Sequence, residues 1–254
     1  EEHAVEETAK ALDLIEYVAG VFSLKLGENY RYRLSLGDRT NTEKYYKNDA
    51  AWDKGEDLLR QYLRTRDCDF EEASDEAAFY GPKIDVQMKN VNGKEDTAFT
   101  VQYDFCMPDR FDLSYIGEDG TKKRVFVVHR SSIGTFERVM AFLIEHYAGA
   151  FPLWLSPVQA MVLPIGESHA AFAREVLEAL KDAGIRAELD DRNETLGKKI
   201  RDWKLSKAPY ALVIGDKEVV SKHVTVESRD NGKLGESGIE ALIEKLKIKI
   251  AEKK

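Results

Sequence analysis

Apolar residues recur at helical spacing in two long stretches of the first half of the chain. Over residues 4–25, Val5, Leu12, Ile15, Val18/Ala19 and Phe22 recur in steps of three, four or seven, which predicts a helix. In "SSIGTFERVMAFLIEHYAG", Val139, Met140, Phe142, Leu143 and Tyr147 do the same, with Gly149 as a stop. This predicts a buried helix from about Gly134. A third helix is predicted from an Asp49 cap to about Arg64, with Trp52, Leu58, Leu59, Tyr62 and Leu63 for its core side.

Between these helices the period changes to two. "YRYRLSL" alternates strictly and predicts a strand with one buried face. Ile84, Val86 and Met88 alternate with Asp85, Gln87 and Lys89. Asn92-Gly93 is a hairpin signal. The return strand sets Phe99, Val101, Tyr103 and Phe105 against Thr100, Gln102 and Asp104. Asp119-Gly120 marks a second hairpin, which leads into "RVFVVHR". Residues 26–150 therefore read as a largely antiparallel sheet with helices on one side. Its polar face suits either solvent or a polar ligand.

"GAFPLWLSPVQ" brings two prolines and a change of pattern. After it strands and helices alternate: "VQAMVLPIG", "SHAAFAREVLEALKDAG", "IRAELD", "TLGKKIRDWKLSKA", "YALVIG", "HVTVESR" and a last helix from Gly238. The order is that of a small α/β domain with a mixed sheet. The predicted organisation is α/β (α+β), with one domain over residues 1–152 and a second over 157–254.

Composition narrows the partners. The chain has 254 residues and a net charge of -8, so nucleic acid can be met only through a local basic patch. Cys68 and Cys106 stand in unrelated contexts and form no disulfide or metal knuckle. No apolar run reaches membrane-spanning length, and the amino terminus lacks a signal-peptide profile. The chain starts without Met, already inside a helical pattern, as a fragment would.

Three places carry candidate chemistry. Arg138 enters a core-facing helix beside Glu137. It is either half of a structural ion pair or a guanidinium held to grip a phosphate or stack on a base. His129 ends an apolar strand, as a satisfied core histidine or a ligand; a zinc site needs three or four donors, and no tight cluster supplies them. "RNETLGKKIRDWKLSK" has six Lys/Arg against two acids. With Lys198, Lys199, Arg201 and Trp203 it is either an ordinary charged helix or a dock for phosphates and an unstacked base.

Together "AFYGPKID", "VQYDF", "VVHRSSIGTFERVMAFLIEHYAGAFPLWLSPVQ" and "DDRNETLGKKIRDWKLSKAPYALVIGDKE" resemble the C-terminal half of the bacterial-type threonyl-tRNA synthetase family, a class II aminoacyl-tRNA synthetase. The resemblance covers essentially the whole chain, in order. It implies a partial class II antiparallel core followed by an anticodon-binding domain. Gly134, Glu137 and Arg138 match the third class II motif, whose arginine contacts ATP. Tyr80 and Lys83 match positions lining the active site, and Gln102 is close by. His129 matches the third zinc ligand of a family that uses Zn²⁺ to recognise threonine. A hydroxyl that must ligate a metal separates threonine from its isostere valine. Arg192, Asn193, Lys199, Arg201 and Glu218 fall where the family meets the anticodon.

The implied activity is threonine–tRNA ligation with ATP and Mg²⁺, in the cytoplasm. Its partners would be threonine tRNA and, in the full-length enzyme, a second subunit. The alternative is a non-catalytic RNA-binding module derived from a synthetase. Motifs one and two are missing, as are the zinc-binding cysteine and first zinc histidine, for which Cys68 and Cys106 are no match. The fragment alone is therefore expected to be inactive. Where many relatives carry Trp-Gln this chain has Asp96-Thr97, so no ATP contact is carried to that position.

Overall fold

A computed structural model describes residues 2–66 and 68–254. The elements in chain order are α1 (Glu2–Val21), β1 (Tyr30–Ser35), α2 (Asp49–Thr65), β2 (Phe70–Ala73), β3 (Lys83–Lys89), β4 (Glu95–Asp104), α3 (Cys106–Arg110), β5 (Ser114–Ile116), β6 (Lys122–Arg124), β7 (Val127–Ser131) and α4 (Phe136–His146). The second half holds β8 (Ala160–Pro164), a 3₁₀ turn (Glu167–His169), α5 (Ala170–Asp182), β9 (Ala187–Leu189), α6 (Leu196–Ser206), β10 (Tyr210–Ile214), α7 (Asp216–Ser221), β11 (His223–Ser228), β12 (Gly232–Gly238) and α8 (Ile239–Ala251). The chain divides into two compact units, Glu1–His146 and Tyr147–Lys254.

The first unit is built on a five-stranded sheet in the order β2-β1-β3-β4-β7. β1, β3, β4 and β7 are antiparallel neighbours, as the alternation predicts, while β2 runs parallel to β1. β1 is therefore an inner strand. β2, a run of four residues with two glutamates, was not legible as a strand. Short and charged, it blunts the edge of the sheet. The Asn92-Gly93 turn closes between Asn90 N–H and Lys94 C=O, 2.8 Å apart, and Gly93 supplies a φ of +76°. The apolar face of the sheet is carried by Leu34, Ile84, Val86, Phe99 and Val101, and α1 contributes Leu12, Ile15 and Ala19 to the same core.

Three expectations need correction here. α1 stops at Val21, two residues before Ser23 takes a left-handed φ of 56°. The cap of α2 is Asn48, whose side chain accepts from Ala51 N–H at 3.2 Å; Asp49 is the first helical residue. α4 is not buried all round. Val139 and Leu143 are buried, but Phe136, Met140 and Ile144, in the neighbouring stripe of the helix, are exposed.

The second unit holds a sheet in the order β12-β11-β10-β8-β9, in which β9, β8 and β10 are parallel. Its two faces are covered by different helices. α5 and α8 supply Phe172, Val176, Leu180, Leu242 and Leu246 to one core. α6 supplies Trp203 to the other, with Leu163 and Ala211. α7 and β12 were not read from the sequence. β12 has three glycines and is mostly exposed, so it lacks both strand signals, branched residues and alternation.

Candidate functional site

Pairing across the first sheet places polar residues in register. Ser35 lies opposite Lys83, Lys83 opposite Gln102, and Gln102 opposite His129. The next row is Arg33, Asp85, Thr100 and Ser131. Because side chains alternate along a strand, both rows fall on one face. Val128 and Arg130 fall on the other. That alternation separates the His129-Arg130 pair, and Arg130 lines a cavity of about 360 Å³ on the α1 side with His3 and Glu7.

Asp85 is fully buried at the centre of this polar face. Arg33 donates to it at 3.0 Å, Ser35 Oγ at 2.7 Å and Lys83 Nζ at 2.8 Å. A buried carboxylate is tolerated only with such partners. The Tyr80 hydroxyl donates to Gln102 Oε1, and Gln102 Nε2 reaches Thr100 Oγ1 at 3.5 Å. Burial, with the nearby Asp104 carboxylate second, raises the Tyr80 pKa and keeps the phenol a neutral donor. The Tyr80 ring stands 5.1 Å from the His129 ring.

Asp104 orients His129. It too is fully buried, and its Oδ1 accepts from Cys106 N–H and Met107 N–H, both at 2.9 Å. Its Oδ2 lies 2.8 Å from His129 Nε2. A carboxylate accepts only, so Nε2 carries a proton, and in the neutral ring Nδ1 is the nitrogen with the free lone pair. A histidine whose second nitrogen is held by a carboxylate suits metal ligation. Yet no group of three His, Cys, Asp or Glu able to hold a metal occurs among the described residues.

Arg138 stands apart from the first row. It is exposed, and its guanidinium donates to Thr97 C=O. Thr97 pairs with Gln87, two rows beyond Lys83. Gly134 lets this corner form. It has a φ of +77°, and a Cβ there would lie 2.3 Å from Ala98 O. Of the two alternatives, the structural ion pair with Glu137 is not how Arg138 is held: the partner is a main-chain carbonyl.

In the second unit Arg192, Asn193, Lys199 and Glu218 gather at the carboxyl ends of β8, β9 and β10, where open α/β sheets receive ligands, while Arg201 lies further along α6, about 200° round the helix from Lys199. Residues 190–195 leave β9. Arg192 grips Asp190 at 2.8 and 2.6 Å and Asp202 at 2.8 Å. The Arg192 guanidinium beside it holds the Asp190 carboxyl below the usual aspartate value, against the cost of burial. Asn193 and Arg201 are exposed. Glu218, mostly buried, accepts from Gly215 N–H at 2.9 Å and Thr225 Oγ1 at 2.7 Å. Burial pulls its pKa up, but these hydrogen bonds outweigh it and leave the carboxyl below its ordinary value. Beside it His169 Nδ1 accepts from Gly166 N–H at 3.0 Å and Nε2 meets Asp216 Oδ1 at 2.9 Å.

Two side chains expected at the surface are not there. Trp203 is 2% exposed and donates from Nε1 to Ala208 C=O, so its ring is unavailable for stacking on a base. Lys199 is 2% exposed, with Nζ 2.9 Å from Pro164 O and 3.0 Å from Asp190 O. The helical period explains both: Lys199 and Trp203 are four apart, on one face of α6, and that face is turned to the sheet. Arg33, Ser35 and Asp104 were missed as site residues. Their signal was the polar half of the alternation in "YRYRLS" and "VQYD".

Comparison with known proteins agrees with this division. Residues 3–147 match the family model described as the tRNA synthetase class II core domain (G, H, P, S and T). Residues 159–249 match the one described as an anticodon binding domain. The chain is 46% identical over 252 residues to a threonine–tRNA ligase of Clostridium perfringens, covering 99% of this chain and 39% of that protein. A threonine–tRNA ligase of Clostridium botulinum is 48% identical over the same shares. The crystal structure of the RNA binding domain of threonyl-tRNA synthetase from Cryptosporidium parvum superposes with a TM-score of 0.88 at 32% identity. It covers 97% of this chain and 60% of that one. The chain thus spans about two fifths of the length of the curated relatives it matches.

Proposed function

Because the chain belongs to the class II tRNA synthetases, we propose that it is part of a threonine–tRNA ligase, one that activates threonine with ATP and passes it to its tRNA. The observation that carries this reading is the joint match: a class II core, then an anticodon-binding domain, both inside one alignment to threonine–tRNA ligases.

The polar sheet face would be one wall of the adenylation site. Class II chemistry depends on placing a carboxylate in line with the α-phosphate and on neutralising charge, more than on acid–base groups. Lys83, fixed by Asp85 beside Arg33, offers positive charge at a set position. Tyr80 and Gln102 offer a hydroxyl and an amide on the same row, for orienting the amino acid. Arg138 would leave Thr97 C=O to contact ATP. Mg²⁺, when bound, would add charge neutralisation at the phosphates. Zn²⁺, when bound, would select the threonine hydroxyl, and His129 would offer it Nδ1. The remaining donors and the rest of the adenylate site would come from the longer protein, along with the dimer contacts. Such an enzyme works in the cytoplasm.

At the strand ends of the second unit, Asn193 and Glu218 would read anticodon base edges, while Arg192 there and Arg201 on α6 would hold phosphates. The test is binding to a threonine-tRNA anticodon stem-loop and to one with changed anticodon bases, over a salt series. The reading expects a preference for the cognate loop that persists as salt rises. Equal, steeply salt-sensitive binding to both would reduce the second unit to a phosphate-holding patch. The chain alone is expected to give no threonine-dependent pyrophosphate exchange.

A further inference from the structure

We propose that Lys199 is a positioning residue of the strand-end site: its buried ammonium ties the exits of β8 and β9 together and so fixes the loop that presents Arg192 and Asn193, without itself meeting RNA. The inference rests on the reading that this loop faces the anticodon.

The topology creates the need. From β8 the chain turns to α5 on one face of the sheet, and from β9 it turns to α6 on the other. The two exits diverge, and a crevice opens between them. β9 is only three residues long, and the last main-chain bond across the gap is Asp190 N–H to Val162 C=O at 2.9 Å. Beyond it the ladder has ended. Lys199 reaches from α6 beneath the loop and donates to a carbonyl on each side, Pro164 O and Asp190 O.

The chemistry of this contact is unusual for a packing residue. Burying an ammonium is costly, and here both acceptors are main-chain carbonyls. A methionine would fill the same volume without desolvating a charge. It could not hold two diverging carbonyls at once. The ammonium can, because its donors point in different directions. From outside, Arg192 fastens the same loop to Asp190 and Asp202, and Glu194 N–H closes onto Arg192 C=O at 2.8 Å. Between the inner and outer fastenings Asn193 is left exposed at the tip.

The experiment compares the 254-residue chain with Lys199→Met and Lys199→Arg. Two readouts are taken: affinity for cognate and changed anticodon stem-loops across a salt series, and amide exchange of Arg192 and Glu194. The proposal expects Lys199→Met to keep the salt slope of the parent, to lose about tenfold in discrimination between the loops, and to speed exchange at both amides. Lys199→Arg keeps the charge but not the shape, and is expected to lose discrimination too. A salt slope lower by about one in Lys199→Met, or full retention of discrimination by Lys199→Arg, would show a direct phosphate contact and overturn the proposal. So would unchanged exchange at Arg192 and Glu194 in both variants. If the parent chain itself shows no preference between the loops, it is the anticodon reading that fails, and the exchange data still decide the clamp.

Discussion

In the first unit β1, β3, β4 and β7 are antiparallel and show four polar side chains in a row, twice, on one face. In the second unit β9, β8 and β10 are parallel and are buried under helices on both faces. Antiparallel sheets can leave a face open, whereas parallel sheets built from crossovers cover both. The candidate chemistry follows that difference. It lies on the sheet face in one unit and at the strand ends in the other. The two sites therefore depend on different things: register across strands in the first, and loop fixation beyond the strands in the second.

The sharpest break in this contrast is Asp85→Ala. It removes a fully buried carboxylate and leaves Arg33 and Lys83 facing each other. The expected loss is about 3–5 kcal/mol, confined to the first unit and read as a lowered first transition in calorimetry with the second unmoved. Gly81→Ala is next. Its Cβ would lie 1.8 Å from Tyr103 O, a main-chain atom that cannot swing aside. About 3 kcal/mol should be lost, with the Tyr80–Gln102 contact disrupted. A stable Gly81→Ala protein with unaltered melting would refute the close approach.

Substitutions at the strand ends should change recognition more than stability. Asn193→Ala should cost about 1–3 kcal/mol of discrimination between stem-loops and leave the melting profile unchanged. Arg201→Ala should weaken binding to both loops alike and lower the salt slope by about one. The smallest effect is that of pH. Asp190 has a folded pKa below the usual 3.8, so its ion pair with Arg192 contributes fully above that value. The contribution fades as pH falls through the lower folded value. Amide exchange in residues 190–195, corrected for its intrinsic pH dependence, should be insensitive to pH between 5 and 7, a range chosen well above that pKa, and should accelerate only in acid below it.

Much of this was legible in the sequence, unevenly. The alternation in "KIDVQMK" and "FTVQYDF" gave the strands, and Asn92-Gly93 gave their turn, because period and turn chemistry are local. The place of β1 inside the sheet was not legible, since its neighbour β2 is a four-residue acidic run paired across more than thirty residues. Residue identity located the basic segment of α6. It could not say which of its cations faces inward. Lys198 is exposed and Lys199 is buried, and one residue along a helix is a turn of about 100°. In the same way the polar half of the first sheet was visible, but its coherence was not. Asp85 and Asp104 became meaningful only once pairing set Arg33, Lys83 and His129 around them.

The most direct test of two sites on two kinds of surface is amide chemical-shift mapping of the chain with the cognate anticodon stem-loop and, separately, with ATP and Mg²⁺. The stem-loop is predicted to perturb residues 165–167, 190–195 and 215–218, and ATP to perturb β3, β4 and the start of α4, with neither set overlapping the other. A stem-loop footprint on the polar rows of the first sheet, or an ATP footprint at the strand ends of the second, would contradict the account.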